Sequence, residues 1–315
     1  MEAGLVTTII PVYNRPVMLR QAVASVLAQT YRPIEILIVD DGSTDETATV
    51  ADALESDHAE IRVIHQQNRG VGLAREAGRL AATGEFIQHL DSDDLLEPCK
   101  FELQVKGLRA HPECGVSYGW TRIRLPDGSL LAQPGRRTGE RIATMFPAML
   151  RERFWHTPTP LYRAELVRAA GPWLAINAEE DWEFDARIAS RGVRLHYCPE
   201  WLCEFRHHDA ERLSGRGLVP RALRDRAEAH IRILAHARHA EIACEAPEMR
   251  HYVRELFLLG RQCGAAGLAD ESRRLIEAAR SVDDATDIRV YSIAAGVIGW
   301  TVMGRLADWL DRRRS

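Results

Sequence analysis

The N-terminal part of the chain alternates short apolar runs with segments whose apolar positions recur at helical spacing. Thr7–Val12 (TTIIPV), Ile34–Val39 (IEILIV), Ile61–His65 and Glu85–Leu90 are short, apolar and rich in β-branched residues, which predicts buried strands. Between the first two, Met18–Ala28 places Leu19, Ala22, Val23, Val26 and Leu27 on one face, the pattern of a core-facing helix. Ser43 followed by Glu46 has the capping-box spacing and predicts a second helix start, with Val50, Ala51 and Leu54 as its apolar face. Val71–Ala82 is again helical, and Gly84 is placed to stop it. The resulting β-α-β-α-β-α-β order predicts an α/β fold with a mostly parallel sheet covered by helices.

The pattern then changes. Pro98–Arg109 reads as a helix, Val116–Trp120 and Thr121–Leu125 as strand material, and Pro126-Asp127-Gly128-Ser129 as a turn. Arg151–Tyr162 has no period and contains Pro158 and Pro160. Asp181–Arg191 is helical and Val193–Cys198 extended. From Pro220 onward Ala, Arg, Leu and Glu recur at helical spacing, with breaks near Pro247 and Gly264–Gly267, predicting three or four helices packed as hairpins. The expected division is an α/β domain over residues 1–215 and a helical region over 216–315. Within the latter, the run from Val290 to Gly304 carries no charge, yet is shorter than the roughly 20 residues of a membrane span. It is either a packed terminal helix or an interfacial one, with Arg305 and Arg312-Arg313-Arg314 near lipid headgroups.

Composition narrows the function more than the fold. At 315 residues, 46% hydrophobic and 27% charged, the chain is an ordinary globular protein long enough to bury its own core. A formal net charge of -4 supplies no basic field for nucleic acid. The six cysteines form no CxxC pair, which argues against a zinc or disulfide framework and for a reducing cytoplasm. Met1-Glu2-Ala3-Gly4 lacks the basic start of a signal peptide. The expected location is the cytoplasm, at the inner face of a membrane if the interfacial reading of the last helices holds.

The chemistry-bearing residues cluster at predicted strand ends, where open parallel sheets bind ligands. Pro11-Val12-Tyr13-Asn14-Arg15 follows the first strand, and Tyr13 offers a flat face to a base. Asp40-Asp41 follows the second; two adjacent carboxylates repel unless a donor compensates, and a uracil or thymine N–H would suit them. Asn68 to Gly78 places glycines and Arg75 at a helix start, where backbone N–H groups meet phosphates, although the spacing is neither the dinucleotide nor the Walker pattern. Asp91-Ser92-Asp93-Asp94 follows the fourth strand. An Asp-x-Asp there is expected to point both carboxylates to one pocket, because alternate strand residues share a face, and such hard oxygens suit Mg²⁺ or Mn²⁺ on a diphosphate. Glu179-Glu180-Asp181-Trp182-Glu183 opens a helix; a carboxylate there could take the proton of an acceptor hydroxyl, and Trp182 is either core or a sugar platform. Phe205-Arg206-His207-His208 adds imidazoles able to complete a metal shell.

Taken together, these segments resemble family 2 glycosyltransferases of the GT-A fold. The likeness rests on Ile9-Ile10-Pro11-Val12-Tyr13-Asn14, Ile38-Val39-Asp40-Asp41-Gly42-Ser43-Thr44-Asp45, Gly84-Glu85-Phe86 leading into Asp91-Ser92-Asp93-Asp94, and Glu180-Asp181-Trp182. It covers roughly residues 5 to 210. The resemblance implies a nucleobase pocket at Pro11, Tyr13 and Asp41, with Asn14, Arg15 and Asp40 beside it. It implies Arg75 near base and phosphates, Asp91 with Ser92 on the ribose side, Asp93 on a Mn²⁺ or Mg²⁺ ion, and Asp181 as catalytic base. Glu180 and Trp182 are secondary candidates, Glu179 blurs the register of the Glu-Asp pair, and His207 and His208 compete for the metal position. The implied reaction is an inverting displacement from a nucleotide-sugar, UDP- or TDP-linked, to a saccharide, lipid-linked or protein hydroxyl in polysaccharide or glycoconjugate synthesis.

Rival readings are a catalytically inactive nucleotide-sugar-binding scaffold and a sugar-1-phosphate nucleotidyltransferase. The second would carry a glycine-rich basic loop where Pro11-Val12-Tyr13-Asn14-Arg15 stands. A third rival, a nicotinamide dehydrogenase, is weak because GxGxxG is missing after the first strand.

Overall fold

The computed structural model describes residues 1–207 and 219–313, which fall into two compact units. The first comprises Met1–Met145, Phe154–Ile176 and the described residues from Gly192 to 207. It is built on β1 (Glu2–Val12), β2 (Ile34–Asp40), β3 (Ile61–His65), β4 (Gly84–His89), β5 (Leu95–Leu96), β6 (Cys114–Arg124), β7 (Leu161–Arg163) and β8 (Arg194–Arg206). These strands form one sheet in the order β3-β2-β1-β4-β7-β6-β8-β5. The expected parallel part is there: β1 pairs in parallel with β2 and β4, and β2 with β3. The sheet as a whole is mixed, because β7 inserts antiparallel to both β4 and β6, and β5 runs antiparallel to β8. The two stretches expected as separate strands around Trp120 are one strand, β6, whose parallel partner β8 irregularly shifts register near Trp120.

Alternation along the strands fixes which helices they meet. Val6, Ile10, Ile36 and Ile38 lie in one core cluster with Leu19, Val23 and Val26 of α1 (Pro16–Leu27) and Phe101 and Val105 of α4 (Lys100–Ala110). Odd-numbered Ile9 instead meets α3 (Val71–Ala81). A Cβ on Gly78 would stand 2.3 Å from Ile9 Cγ2, so α3 lies this close to β1 only because residue 78 has no side chain. An added methyl there would cost about 1–3 kcal/mol in overpacking.

One helix start departs from the sequence pattern. α2 (Thr47–Asp57) begins after the anticipated capping box, and Glu46 at its cap makes no side-chain bond. Ser43 is taken up elsewhere: its N–H donates to Asp40 Oδ1 at 3.1 Å and its hydroxyl accepts from Asn14 N–H at 3.0 Å. Gly84 opens β4 rather than capping α3. α5 (Ala164–Ala170) was not evident in the apolar spacing.

The second unit comprises Phe146–Arg153, Asn177–Arg191 and the described residues from 219 on. It contains α6 (Glu180–Ala189) and five further helices, α7 (Pro220–His239), α8 (Pro247–Ala265), α9 (Ala269–Arg280), α10 (Thr286–Ile298) and α11 (Trp300–Arg312). α7 and α8 both open on proline, whose missing N–H costs nothing at a helix start. The charge-free run is not one helix, because Gly299, at φ 95°, separates α10 from α11. This grouping runs differently from the division at residue 215: α6 belongs with the C-terminal helices. Among the described residues, no helix is long and apolar enough to cross a membrane.

Candidate active site

In the first unit, the carboxyl ends of β1, β2 and β4 converge through a set of loop-to-loop bonds. Asn14, in the left-handed region at φ 52°, accepts the Thr44 N–H at 2.8 Å on its side-chain oxygen. Arg15 N–H donates to Thr47 Oγ1 at 2.9 Å. The loop after β1 is thus fastened to the loop after β2. Pro11 is buried in the strand, whereas Tyr13 is 44% exposed.

Asp40 and Asp41 are both buried, and their mutual repulsion is offset from within the protein. Asp41 accepts Gln66 Nε2 at 2.6 Å and Arg69 N–H at 2.9 Å on one oxygen, and Gly70 N–H at 2.8 Å on the other. Asp40 accepts Ser43 N–H, and its second oxygen lies 3.0 Å from His65 Nδ1. Bonding to Asp40 and to Asp52 raises His65 above its ordinary value, against a lesser pull from burial. Gly42, at φ 74°, is indispensable here: a Cβ would meet Asn68 N at 2.7 Å. The donor that the sequence pattern assigned to a nucleobase is therefore already supplied in part by backbone N–H groups, which leaves remaining carboxylate lone pairs for a ligand.

The cluster after β4 is assembled by a turn and not by strand alternation. Asp94 N–H bonds back to Asp91 C=O at 3.0 Å, and the carboxylates of Asp91, Asp93 and Asp94 bring oxygens within 4.8 Å of one another. Asp93 and Asp94 are buried, and so is Ser92, between Asp91 and Asp93. Three arginines face these acids. Arg15 pairs with Asp93, and buried Arg75 donates to Asp91 Oδ1 at 2.6 Å while lying 5.1 Å above the Trp173 ring. Arg206 donates to Asp93 C=O, and its N–H to Asp94 Oδ1 at 3.0 Å. Burial lowers Arg206, opposed by Asp94 and Asp93. Three hard oxygen donors this close fit a Mg²⁺- or Mn²⁺-sized ion, with arginines that can swing to anionic oxygens of a bound diphosphate. Asp94 and Arg206 were not singled out by the sequence pattern, although both lie inside motifs that were.

His207 is exposed, stands edge-on to Phe205, and is not a member of the acidic cluster. His208 lies outside the described residues.

In the second unit, α6 carries the Glu-Asp pair. Its cap residue Glu179 is left-handed at φ 61° and accepts Arg226 Nε at 2.9 Å on one oxygen, while its other oxygen lies 2.6 Å from His230 Nε2, both partners being on α7. Glu183, one turn on, is bonded by Arg187 at 2.6 Å and by His236 at 2.9 Å. Burial pushes both carboxyls up, but the arginine and histidine partners more than offset it, and each sits below the usual glutamate range. Glu180 is buried. Asp181 accepts Arg153 Nη1 at 2.6 Å, and Arg153 Nε also reaches Asp185 at 2.8 Å. Trp182 donates its indole N–H to Met149 C=O at 2.9 Å and stands edge-on to His230 and Tyr252, so its ring is packed within this unit. Nothing in the aperiodic stretch around Arg153 marked it as a partner of Asp181.

Comparison with known proteins shows the family and the fold. The model of the family described as Glycosyl transferase family 2 matches residues 7–167. An uncharacterized glycosyltransferase of Rickettsia felis is 46% identical over 101 residues, 32% of this chain and 17% of that protein. EpsJ of Bacillus subtilis, an uncharacterized glycosyltransferase, is 39% identical over 216 residues, 65% of this chain and 61% of its own length. The chain thus spans less than two thirds of these relatives. Among solved structures, residues 1-349 of S. aureus TarS superpose with a TM-score of 0.72 at 18% identity, covering 98% of this chain and 92% of that one. The same TarS fragment has also been solved with UDP, at a TM-score of 0.71. The mannosyltransferase PcManGT of Pyrobaculum calidifontis, solved with GDP-Man and Mn²⁺, superposes at 0.51 with 18% identity over 97% of this chain and 87% of that one. At these identities the structures speak to the fold, which is of the GT-A type with C-terminal helices.

Proposed function

Because this chain belongs to glycosyl transferase family 2, we propose that it transfers a sugar from a nucleotide-sugar to an acceptor hydroxyl, with inversion. The observation that carries the reading is the convergence of Asp91, Asp93 and Asp94 at the end of β4, faced by Arg15, Arg75 and Arg206. Carboxylates and guanidinium groups in one place suit a ligand that carries both a divalent cation and a diphosphate.

The base lies against Tyr13 and Pro11 and donates an N–H to the remaining lone pairs of Asp41 or Asp40. This favours uracil or thymine, and UDP in the TarS complex supports it. Asp91, steadied by Arg75, accepts a ribose hydroxyl, with Ser92 beside it. Asp93, together with Asp91 or Asp94, would hold Mn²⁺ or Mg²⁺, with His207 or His208 as the candidate further ligand. When bound, the ion offsets charge developing on the leaving nucleoside diphosphate. Arg15 pairs with Asp93, and Arg206 adds positive charge beside Asp93 and Asp94. Asp181 takes the proton of the acceptor hydroxyl, and Arg153 fixes the carboxylate that does so. Glu180 and Trp182 shape the helix start that presents it. The acceptor is a saccharide, a lipid-linked saccharide or a protein, as polysaccharide or glycoconjugate synthesis requires.

The test is a thermal-shift screen of UDP-, TDP- and GDP-sugars with and without Mn²⁺, followed by assay of nucleoside diphosphate release. Ligand that binds only the folded state raises the midpoint. Stabilisation by one base, strengthened by Mn²⁺, and release of its diphosphate are expected. No shift with any donor, with or without Mn²⁺, and no release of nucleoside diphosphate would overturn the reading. The anomeric configuration of the product, read by NMR, tests inversion.

A further inference from the structure

We infer that the outward faces of α10 and α11 form a docking surface for an anionic lipid bilayer. The inference concerns the second unit alone and does not depend on the transfer reaction. α10 packs inward through Ile288, Tyr291 and Ala295, yet its opposite face is also apolar: Val290, Ile293 and Val297 are 58%, 61% and 81% exposed. α11 repeats the arrangement. Gly304 and Ala307 point inward, and a Cβ on Gly304 would stand 2.4 Å from the α8 backbone. Val302, Leu306, Trp309 and Leu310 are exposed. A helix apolar on both faces calls for two burial partners, and the described residues supply one. Exposed apolar side chains this closely spaced along two consecutive helices mark an interaction surface and not ordinary scatter.

Charge decides what covers it. The chain as a whole carries -4, but from Thr286 onward arginines 289, 305, 312, 313 and 314 outnumber aspartates 287, 308 and 311. Arg313 lies 3.8 Å over the Trp309 ring, putting a cation and an amphipathic indole at the same end of the apolar stripe. Interfacial helices use this pairing at the headgroup level. A second source of positive charge adjoins α10. Arg250, Arg254 and Arg261 of α8 line, with Phe257, a cavity of about 300 Å³, faced by Asp283 and Asp287. A guanidinium-lined, partly apolar recess beside an apolar helix suits a phosphate headgroup with its acyl stem. Two-fold pairing with a second copy would bring the arginines of both copies onto one surface, a like-charge arrangement that interfaces avoid. Neither helix is long enough to span, so the surface lies on the bilayer and does not cross it.

The experiment is co-sedimentation of the full chain with vesicles of phosphatidylcholine alone, or with about one-third phosphatidylglycerol, each basic residue near the surface adding to the attraction. Wild type is expected to sediment with the anionic vesicles at least about tenfold more strongly than with the neutral ones. The double variant Ile293→Glu/Val302→Glu, and separately Trp309→Ser, should lose that binding with an unchanged melting midpoint, because these side chains are exposed. Absence of anionic-vesicle binding, equal binding to both vesicles, or undiminished binding by both variants would overturn the inference. So would a dimer, seen by light scattering, that the double variant dissolves while no vesicle binds.

Discussion

Arg153 and Asp181 form a buried-edge ion pair at 2.6 Å, and the same guanidinium reaches Asp185 at 2.8 Å from its Nε. Asp185 is 1% exposed, so its charge is tolerable only because partners this good surround it. One planar group therefore sets the orientation of the residue proposed as base and neutralises the acid one turn further along α6. Arg153→Lys keeps the charge but cannot present two separated N–H vectors to two carboxylates. It should lower kcat about tenfold or more through misorientation of Asp181, while the donor-induced thermal shift stays at the wild-type value. Arg153→Ala should in addition cost about 3–5 kcal/mol in urea unfolding, as expected when a buried carboxylate loses its cation. An Arg153→Lys enzyme with wild-type kcat would remove Arg153 from the positioning role.

Arg15 sits on Asp93, the acid assigned to the metal. A divalent ion arriving at Asp93 must displace that guanidinium. Arg15→Met should therefore tighten Mn²⁺ binding to the nucleotide-free protein by about three- to tenfold, worth roughly 1 kcal/mol, while apo stability falls. Calorimetric titration of Mn²⁺ reads the effect directly. Weaker Mn²⁺ binding in the variant would show that Arg15 does not compete for the site.

The strand ends were legible because each acidic motif follows an unbroken apolar run, and apolar runs of that length are strands in a buried sheet. What the pattern misassigned were interactions made between loops. Ser43 has the spacing of a helix cap, yet Asn14 and Asp40 occupy it. The acids after β4 do converge, but through the Asp91–Asp94 turn, which period-two reasoning does not contain. Long-range pairings left no local trace at all. β6 and β8 run side by side with Trp120 opposite Trp201, and neither segment's own alternation names the other. Arg153 meets its two aspartates from a stretch without periodicity. The C-terminal helices were readable in kind but not in number, since Gly299 divides a charge-free run that reads as continuous.

His65 bridges Asp40 and Asp52, and both ring nitrogens can donate only when the imidazole is charged. Its value is raised above 6.5, chiefly by the bond to Asp40. A raised folded value means that the folded chain holds the proton more tightly, so the stabilisation is fully present below about pH 6.5 and is lost as pH rises through the folded value. The stability advantage of wild type over His65→Gln should therefore be larger at pH 6 than at pH 8.5, measured by urea unfolding. NMR titration should place the ring above 6.5. A ring titrating at or below that value would remove the pair from the pH response.

Lys100 is fully buried on α4, where its ammonium donates to Gln104 Oε1 at 2.6 Å and to Thr159 C=O at 2.8 Å. Burial pulls it down from 10.5 to about 8, against smaller contributions from Cys203 and Cys198. The folded value lies below the unfolded one, so between these limits the unfolded chain binds more protons and stability rises with pH. Below about pH 8 the folded state bears the whole cost of a buried ammonium; by about pH 10.5 that cost is gone, a change of roughly 3 kcal/mol. Lys100→Met is unbranched and only one heavy atom shorter, and it removes the titration. The difference in unfolding free energy between wild type and variant should shift toward wild type by that amount as pH rises through this window. Thiols and tyrosines remote from Lys100 cancel in the difference; Cys198 and Cys203, which interact with its ammonium, are replaced by Ser in both proteins for the comparison. Parallel stability curves for the two proteins across the window would mean that Lys100 keeps its ordinary basicity despite its burial.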